Sequence, residues 1–271
     1  MKRHILQVAA LLLSAQLFFS CEKTDLTSAE IVEGLKTALV AGADSSTRVL
    51  SYTDGYYNNL LTRIPLPNEA QTILDNAKII EKLPGVSLIF PNLSSDLQEK
   101  VTNLVKSINS SAGEAAKEAL PIFKGAITDL SITDGLGILN GKSLLKSSDF
   151  DSLAATNYLK SKTFTDLTNL YAPKMDNALG KPFVNNTSAT TIWNSITEKY
   201  NGVVNNKIVQ TAASTAGHSF KPVDTDLGKF VTGKALDGLF LKVGEQEKNI
   251  RNNPYQYASD IIQKVFGSVF K

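Results

Sequence analysis

The chain has 271 residues, 42% of them hydrophobic and 20% charged, with 28 Lys plus Arg, 26 Asp plus Glu and a single Cys. That balance excludes a disordered chain, which holds too little apolar surface to build a core. One thiol excludes an internal disulfide framework and a Cys-based zinc site, and a formal net charge of +2 lacks the basic footprint of a dedicated nucleic-acid binder.

Lys2, Arg3 and His4 precede an apolar run from Ile5 to Phe19, and small Ser20 stands before Cys21. A bilayer span needs about 20 apolar residues. This shorter run with a charged start therefore reads as a signal peptide over residues 1–20. LFFSC resembles the lipobox of bacterial lipoproteins, with Phe18 and Phe19 departing from its commonest form. Cys21 is the expected lipidation site, residues 21–28 a polar tether, and the membrane a partner held through the N-terminal lipid. Two or more acyl chains suffice for stable anchoring. Glu22 and Asp25 are similar to the acidic export signal of some surface lipoproteins, but Lys23 intervenes, so the membrane face stays open. Lys2 and Arg3 also carry the whole charge excess; without them, 26 basic and 26 acidic residues remain.

No later segment holds 18 consecutive apolar residues. Residues 29–271 read as one all-α domain of about ten helices, joined by irregular loops that contain Pro. Thr27 with Glu30 makes a capping box, and Ile31, Leu35, Ala38 and Leu39 mark a helical face up to about Leu50. TDGYYNNLLTRIPLP is an irregular loop, because Pro65 and Pro67 both break helices. Asn68 is expected to cap a second helix, and Ser94 or Ser95 to start a third carrying Leu97, Val101, Leu104 and Ile108. Pro121 redirects the path. Ser131 and Thr133 open a short helix that closes at Asn140-Gly141. Asp149 or Asp151 caps the next, through Tyr158 and Leu159, with separate helices at about 164–179, 188–200 and 203–216. Asp226 caps the clearest helix, which Asn253-Pro254 ends, and a last one covers Ile261 and Val265. VSLIF at 86–90 is the single strand candidate, and residues 140–151 are the weakest joint.

GILNGKS at 137–143 has three residues between its glycines where a phosphate-binding loop needs four, and it follows a helix rather than a strand. It reads as a helix-ending turn. Ser143 and Lys146 match Ser-x-x-Lys, but the companion strings of penicillin-recognising enzymes are missing. His218 is the single His after the signal peptide, too little for a His-rich metal site. It reads as a loop residue. No cofactor and no metal are expected.

Lys234 with Asp237, three apart, and Glu247 with Arg251, four apart, can each share a helix face. The plain reading is a solvated, salt-bridged surface. The functional alternative puts Asp237 and Arg251 in a groove. Arg63 sits among apolar and Pro residues, where a charge is either paired internally or offered to a ligand. Tyr52, Tyr56 and Tyr57 cluster just before it and either stack on a ligand or pack the loop onto the helices.

Five segments together look like one family. They are GLKTALVAGADSSTRVLSYTDGYYNN, RIPLP, PIFKGAITDLSITDGLGILNG, AATNYLKSKTFTDL and FVTGKALDGLFLKVGEQEKNIRNNP. In their order they resemble the bacterial envelope proteins catalogued as domain of unknown function 4197, over roughly Ile31 to Gly267. The match is thin at 180–222, and extra residues stand around Leu83 to Asn92. The resemblance implies one helical domain behind an export signal and brings no activity with it. It directs attention to Arg63, to Thr156 and Tyr158, and to Lys234, Asp237, Glu247 and Arg251 as residues able to converge on a ligand-binding groove.

The expected protein is a lipoprotein of a bacterial envelope, with the outer membrane the expected one, acting as a non-catalytic binding or assembly module. Its partners would be an envelope protein or a small apolar ligand, and no nucleic acid. The rivals are an envelope hydrolase using the Asp237 and Glu247 carboxylates, and a carrier of lipid or another apolar ligand. A retaining glycosidase would need two carboxyl groups about 5 Å apart.

Overall fold

A reciprocal capping box opens the first helix. The Thr27 hydroxyl accepts from the Glu30 amide at 3.2 Å while the Glu30 carboxylate accepts from the Thr27 amide at 2.9 Å. Two amides that a helix start leaves unpaired are thereby satisfied. The computed structural model describes residues 26–142, 150–224 and 226–269. The signal-peptide segment, Cys21, Glu22, Asp25, the Ser143–Lys146 string and Asp149 lie outside them.

In chain order, α1 (Ser28–Ser51) buries Ile31, Leu35, Leu39 and Leu50. α2 (Asn68–Ile80) starts at Asn68 itself; Pro67 takes the capping position, with no side-chain bond. The expected strand at 86–90 is instead a short helix, α3 (Val86–Ile89), which buries only Val86. Gly85 turns the chain with φ 75°, and Leu88 is left exposed. α4 (Leu93–Ala116) follows Asn92, and α5 (Ala119–Asp129) carries Pro121 in its first turn. α6 (Gly135–Leu139) is capped by Asp134 through the Gly137 amide, not by Ser131 or Thr133.

α7 (Ala154–Leu179) is one helix of 26 residues where two were expected. Its buried stripe steps by four through Ala155, Leu159, Thr163, Leu167, Tyr171 and Met175. Thr163 interrupts that stripe in sequence but not in space, because its hydroxyl donates to the Leu159 carbonyl at 2.7 Å. Asp151 accepts from the Leu153 amide at 2.8 Å just ahead of the helix. A two-stranded hairpin follows, β1 (Pro182–Val184) with β2 (Thr187–Ser188). Asn185 and Asn186 form its turn, both left-handed at φ 49° and 54°, as a tight two-residue hairpin turn requires. α8 (Ala189–Val204), α9 (Lys207–Thr215), α10 (Leu227–Asn252) and α11 (Asp260–Gly267) complete the chain, with Asp226 capping α10 through the Lys229 amide. The fold is all-α.

α1 and α10 form the central pair, and α7 packs on α10 from the other side. α4 bridges α7 to α8 and α2, whereas α5, α6 and α11 pack around α1. The α1–α11 contact depends on Gly34, since a Cβ there would stand 2.6 Å from Val265. Apolar faces from all the long helices meet in one continuous core. Among the described residues no helix is long and apolar enough to cross a membrane.

Candidate functional site

The expected surface pair Glu247 and Arg251 is buried. α10 carries both residues on the face that meets α7, and their side chains are 3% and 2% exposed. Arg251 donates through Nε at 2.9 Å and Nη2 at 2.7 Å, both to Oε1 of Glu247. Oε1 also accepts the Ala155 amide at 3.0 Å, and Oε2 accepts the Thr156 amide at 2.8 Å and the Thr156 hydroxyl at 2.6 Å. The carboxylate therefore seats on the N-terminus of α7, where free amides and the helix dipole favour an anion. The remaining donors of Arg251 reach the other way. Nη1 bonds the Leu139 carbonyl at 2.6 Å and Nη2 the Ile138 carbonyl at 3.0 Å, closing the C-terminal end of α6. Its guanidinium also lies 5.5 Å from the Phe266 ring.

Both oxygens of Glu247 are thus taken, and a buried group so bonded is neither a proton donor in waiting nor a ligand contact. The acid–base role sketched for Glu247 does not fit this geometry. Thr156 belongs to the same network.

Asp237, nearly three turns before Glu247 on α10, pairs with Lys160 of α7 at 2.7 Å, and both side chains are about half exposed. The Lys160 ammonium also lies 5.2 Å from the Phe164 ring and 5.7 Å from that of Phe240. Above this pair runs an open groove of about 510 Å³, lined by Leu61, Thr156, Asn157, Lys160, Asp237 and Phe240 among others. Asp237 and Thr156 are the sequence candidates that share it.

Arg63 is spent inside its own loop. Its Nε donates to the Tyr57 carbonyl at 2.5 Å and its guanidinium stacks 4.5 Å over the Tyr57 ring. The loop is pinned by Asn109, which was not among the sequence candidates, and by Tyr56 of the tyrosine cluster. Asn109 of α4 accepts from the Ile64 amide and donates to the Ile64 carbonyl, each at 2.9 Å, and donates to the Val105 carbonyl at 2.8 Å. Tyr56, wholly buried, donates to the Ala235 carbonyl at 2.9 Å, and burial pushes its phenol pKa well up. Asn201 of α8 holds Val223 in the same two-way manner, at 2.8 and 2.9 Å. A lone Asn beside an apolar helical stripe was the available signal for Asn109, next to Ile108.

Tyr158 faces away from the Asp237 groove. Its hydroxyl donates to the Ser131 carbonyl at 2.7 Å, beside a second groove of about 790 Å³ between α5 and α7. Lys234 is exposed on α10, and His218 stacks on Phe220 in its loop. Two further grooves flank the start of α1, one of mixed lining and one mainly apolar. Among the described residues no group of three or more His, Cys, Asp or Glu could hold a metal ion.

A family model described as Protein of unknown function (DUF4197) matches residues 25–267. Neither a curated protein nor a solved structure matches the chain.

Proposed function

We propose that this chain, which belongs to the DUF4197 family, is held at a bacterial envelope membrane, the outer membrane by preference, through lipid on Cys21, and serves there as a non-catalytic binding or assembly module. The non-catalytic reading is carried by one observation: Glu247, the carboxylate best placed by sequence to act with Asp237, has both oxygens occupied by five donor atoms. Asp237 is half exposed and paired to Lys160, and the other carboxylate lining its groove, Glu245, is paired to Lys242 at 2.7 Å. The anchoring reading is supported by the sequence order of Lys2, Arg3, the apolar run, Ser20 and Cys21.

Replacement of Cys21 by Ala tests the anchor. The variant is expected to leave the membrane fraction for the soluble envelope fraction. Retention with membranes at the wild-type level rejects the reading.

A second reading, a carrier of lipid or another apolar ligand, is favoured by the groove between α5 and α7, whose walls include Ile122, Leu167 and exposed Leu170. Native mass spectrometry of protein purified without added lipid tests it. Retained lipid supports a carrier, and a bare mass argues for the assembly module.

A further inference from the structure

The first described residues open onto apolar surface. Leu26 lines a groove of about 710 Å³ together with Ile31, Val32, Ile132, Leu136 and Val269, and Leu136 is 58% exposed there. Ser28, Thr133, Asn140 and Ser268 also line it, as does Asp134, whose carboxylate pairs with Lys142 at 2.7 Å. A second groove shares Ser28 and Val32 with the first and continues along α1 past Lys36 to Val40, against Ile127 of α5. The two grooves meet at Ser28 and Val32 and are taken together as one trough, on whose wall Lys36 donates to the Thr128 carbonyl at 2.6 Å. From Ser28 to Val40 it follows α1 for about 18 Å, at 1.5 Å per helical residue. Its stretch from Val32 to Val40 is mainly apolar surface, which a hydrocarbon chain can cover.

We propose that this trough takes one acyl chain of the lipid on Cys21. The inference rests on the anchoring reading above. Cys21 is five residues before Leu26, so the lipidated residue lies within about 18 Å of the groove mouth even with the tether fully extended. A chain tethered so closely meets the trough at millimolar or higher effective concentration. Bilayer tails are as apolar as Leu side chains, so a chain moving between membrane and trough loses little hydrophobic stabilisation. Exchange is therefore feasible at the membrane, and off the membrane the trough shields the chain from water. With two or three chains on the Cys, one in the trough still leaves the others for the bilayer.

The test uses the full-length protein in cells fed a fatty acid that carries a photoreactive diazirine near its tail. After illumination the protein is digested, and lipid-bearing peptides are located by mass spectrometry. Adducts are expected on peptides covering residues 26–40 and 127–139, falling at least tenfold in Leu136→Glu and staying level in Leu170→Glu, on the separate α5–α7 groove. Both positions are exposed, so neither change removes core packing. Label on Cys21 with adducts only to membrane lipid, or only elsewhere on the chain, overturns the trough and leaves the anchor standing. Absence of label from Cys21 overturns both.

Discussion

Glu247 and Arg251 stand one helical turn apart on α10 and hold two other helices by opposite ends. The carboxylate takes the amide end of α7 and the guanidinium takes the carbonyl end of α6. Each charge thus meets the pole of a helix that suits it. The pair thus ties the end of α6 directly to the start of α7.

Breaking this clasp should be costly and asymmetric. Arg251→Ala leaves a carboxylate buried without its cation and two α6 carbonyls without donors. Loss of one partner of a buried ion pair costs about 3–5 kcal/mol. Glu247→Gln keeps an acceptor for one or two amides and should cost less. A paired Glu247→Leu, Arg251→Met change removes both charges, and should recover a large part of the Arg251→Ala loss. Urea denaturation of the four proteins gives the coupling. Equal losses in Arg251→Ala and the double variant would show that the charges are not energetically linked.

Asn109 presents a similar test on α4. It satisfies both backbone groups of buried Ile64, and leaving a buried polar group unpaired costs about 1–3 kcal/mol. Asn109→Ala should therefore destabilise by about 2–4 kcal/mol. It should also speed amide exchange in RIPLP while leaving the exchange of α8 unchanged. Asn201→Ala should do the converse, freeing Val223 and its loop. Uniform acceleration across the chain in either variant would place the effect in global stability rather than in the pinned loop.

Stability should also depend on the ion pair that closes α1 onto α11. Lys264 donates to the Glu30 carboxylate, and that bond, followed by those from Thr27, lowers the Glu30 pKa from 4.5 to about 2. Glu114 is lowered in the same direction by Lys117 and then Lys181. A carboxyl depressed in the folded state contributes stability that is present above its unfolded pKa and is lost as pH falls through the folded one. The loss from Glu30 should thus fall between about pH 4.5 and 2. Lys264→Met should flatten that part of a plot of Tm against pH. An unchanged slope would show that Lys264 does not set the Glu30 shift.

The helices with matched caps and unbroken stripes were legible in the sequence. α1 and α10 are the clearest, because Thr27, Glu30 and Asp226 mark their starts and Asn253-Pro254 ends the second. α7 was not read whole, since Thr163 stands at a core position and its back-bonded hydroxyl leaves no trace in a hydrophobic pattern. VSLIF suggested a strand on composition, yet four or five residues after a left-handed Gly85 have no neighbouring strand to pair with. The hairpin at Asn185-Asn186 was not read, because strands of three and two residues leave too little alternation to show. The candidate site was legible only as spacing. Glu247 and Arg251 sit four apart whether the pair is wet or buried, and burial here is decided by α6 and α7, residues some ninety to a hundred and ten positions earlier.

Asp176 supplies a test of opposite sign. Burial, and then the nearby carboxylate of Asp226, push its pKa above 3.8. Asp226 already serves the N-terminus of α10, so a second anion close by adds repulsion without adding a cap. An acid with a raised folded pKa binds more protons folded than unfolded. Its presence lowers stability as pH rises from its unfolded pKa through its folded one. Asp176→Asn removes the titration and keeps nearly the same volume. The variant should melt at higher temperature than wild type at pH 7, and the two curves should converge as pH falls below about 3.8, where Asp176 is protonated in both states. Asp226→Asn at the same pH should help less or not at all, because it also weakens the cap that the Lys229 amide uses. Differential scanning calorimetry at pH 7 and pH 3 reads both effects. A lower Tm for Asp176→Asn at pH 7 would mean that its carboxylate stabilises the α7–α10 contact, and the repulsion argument would fail.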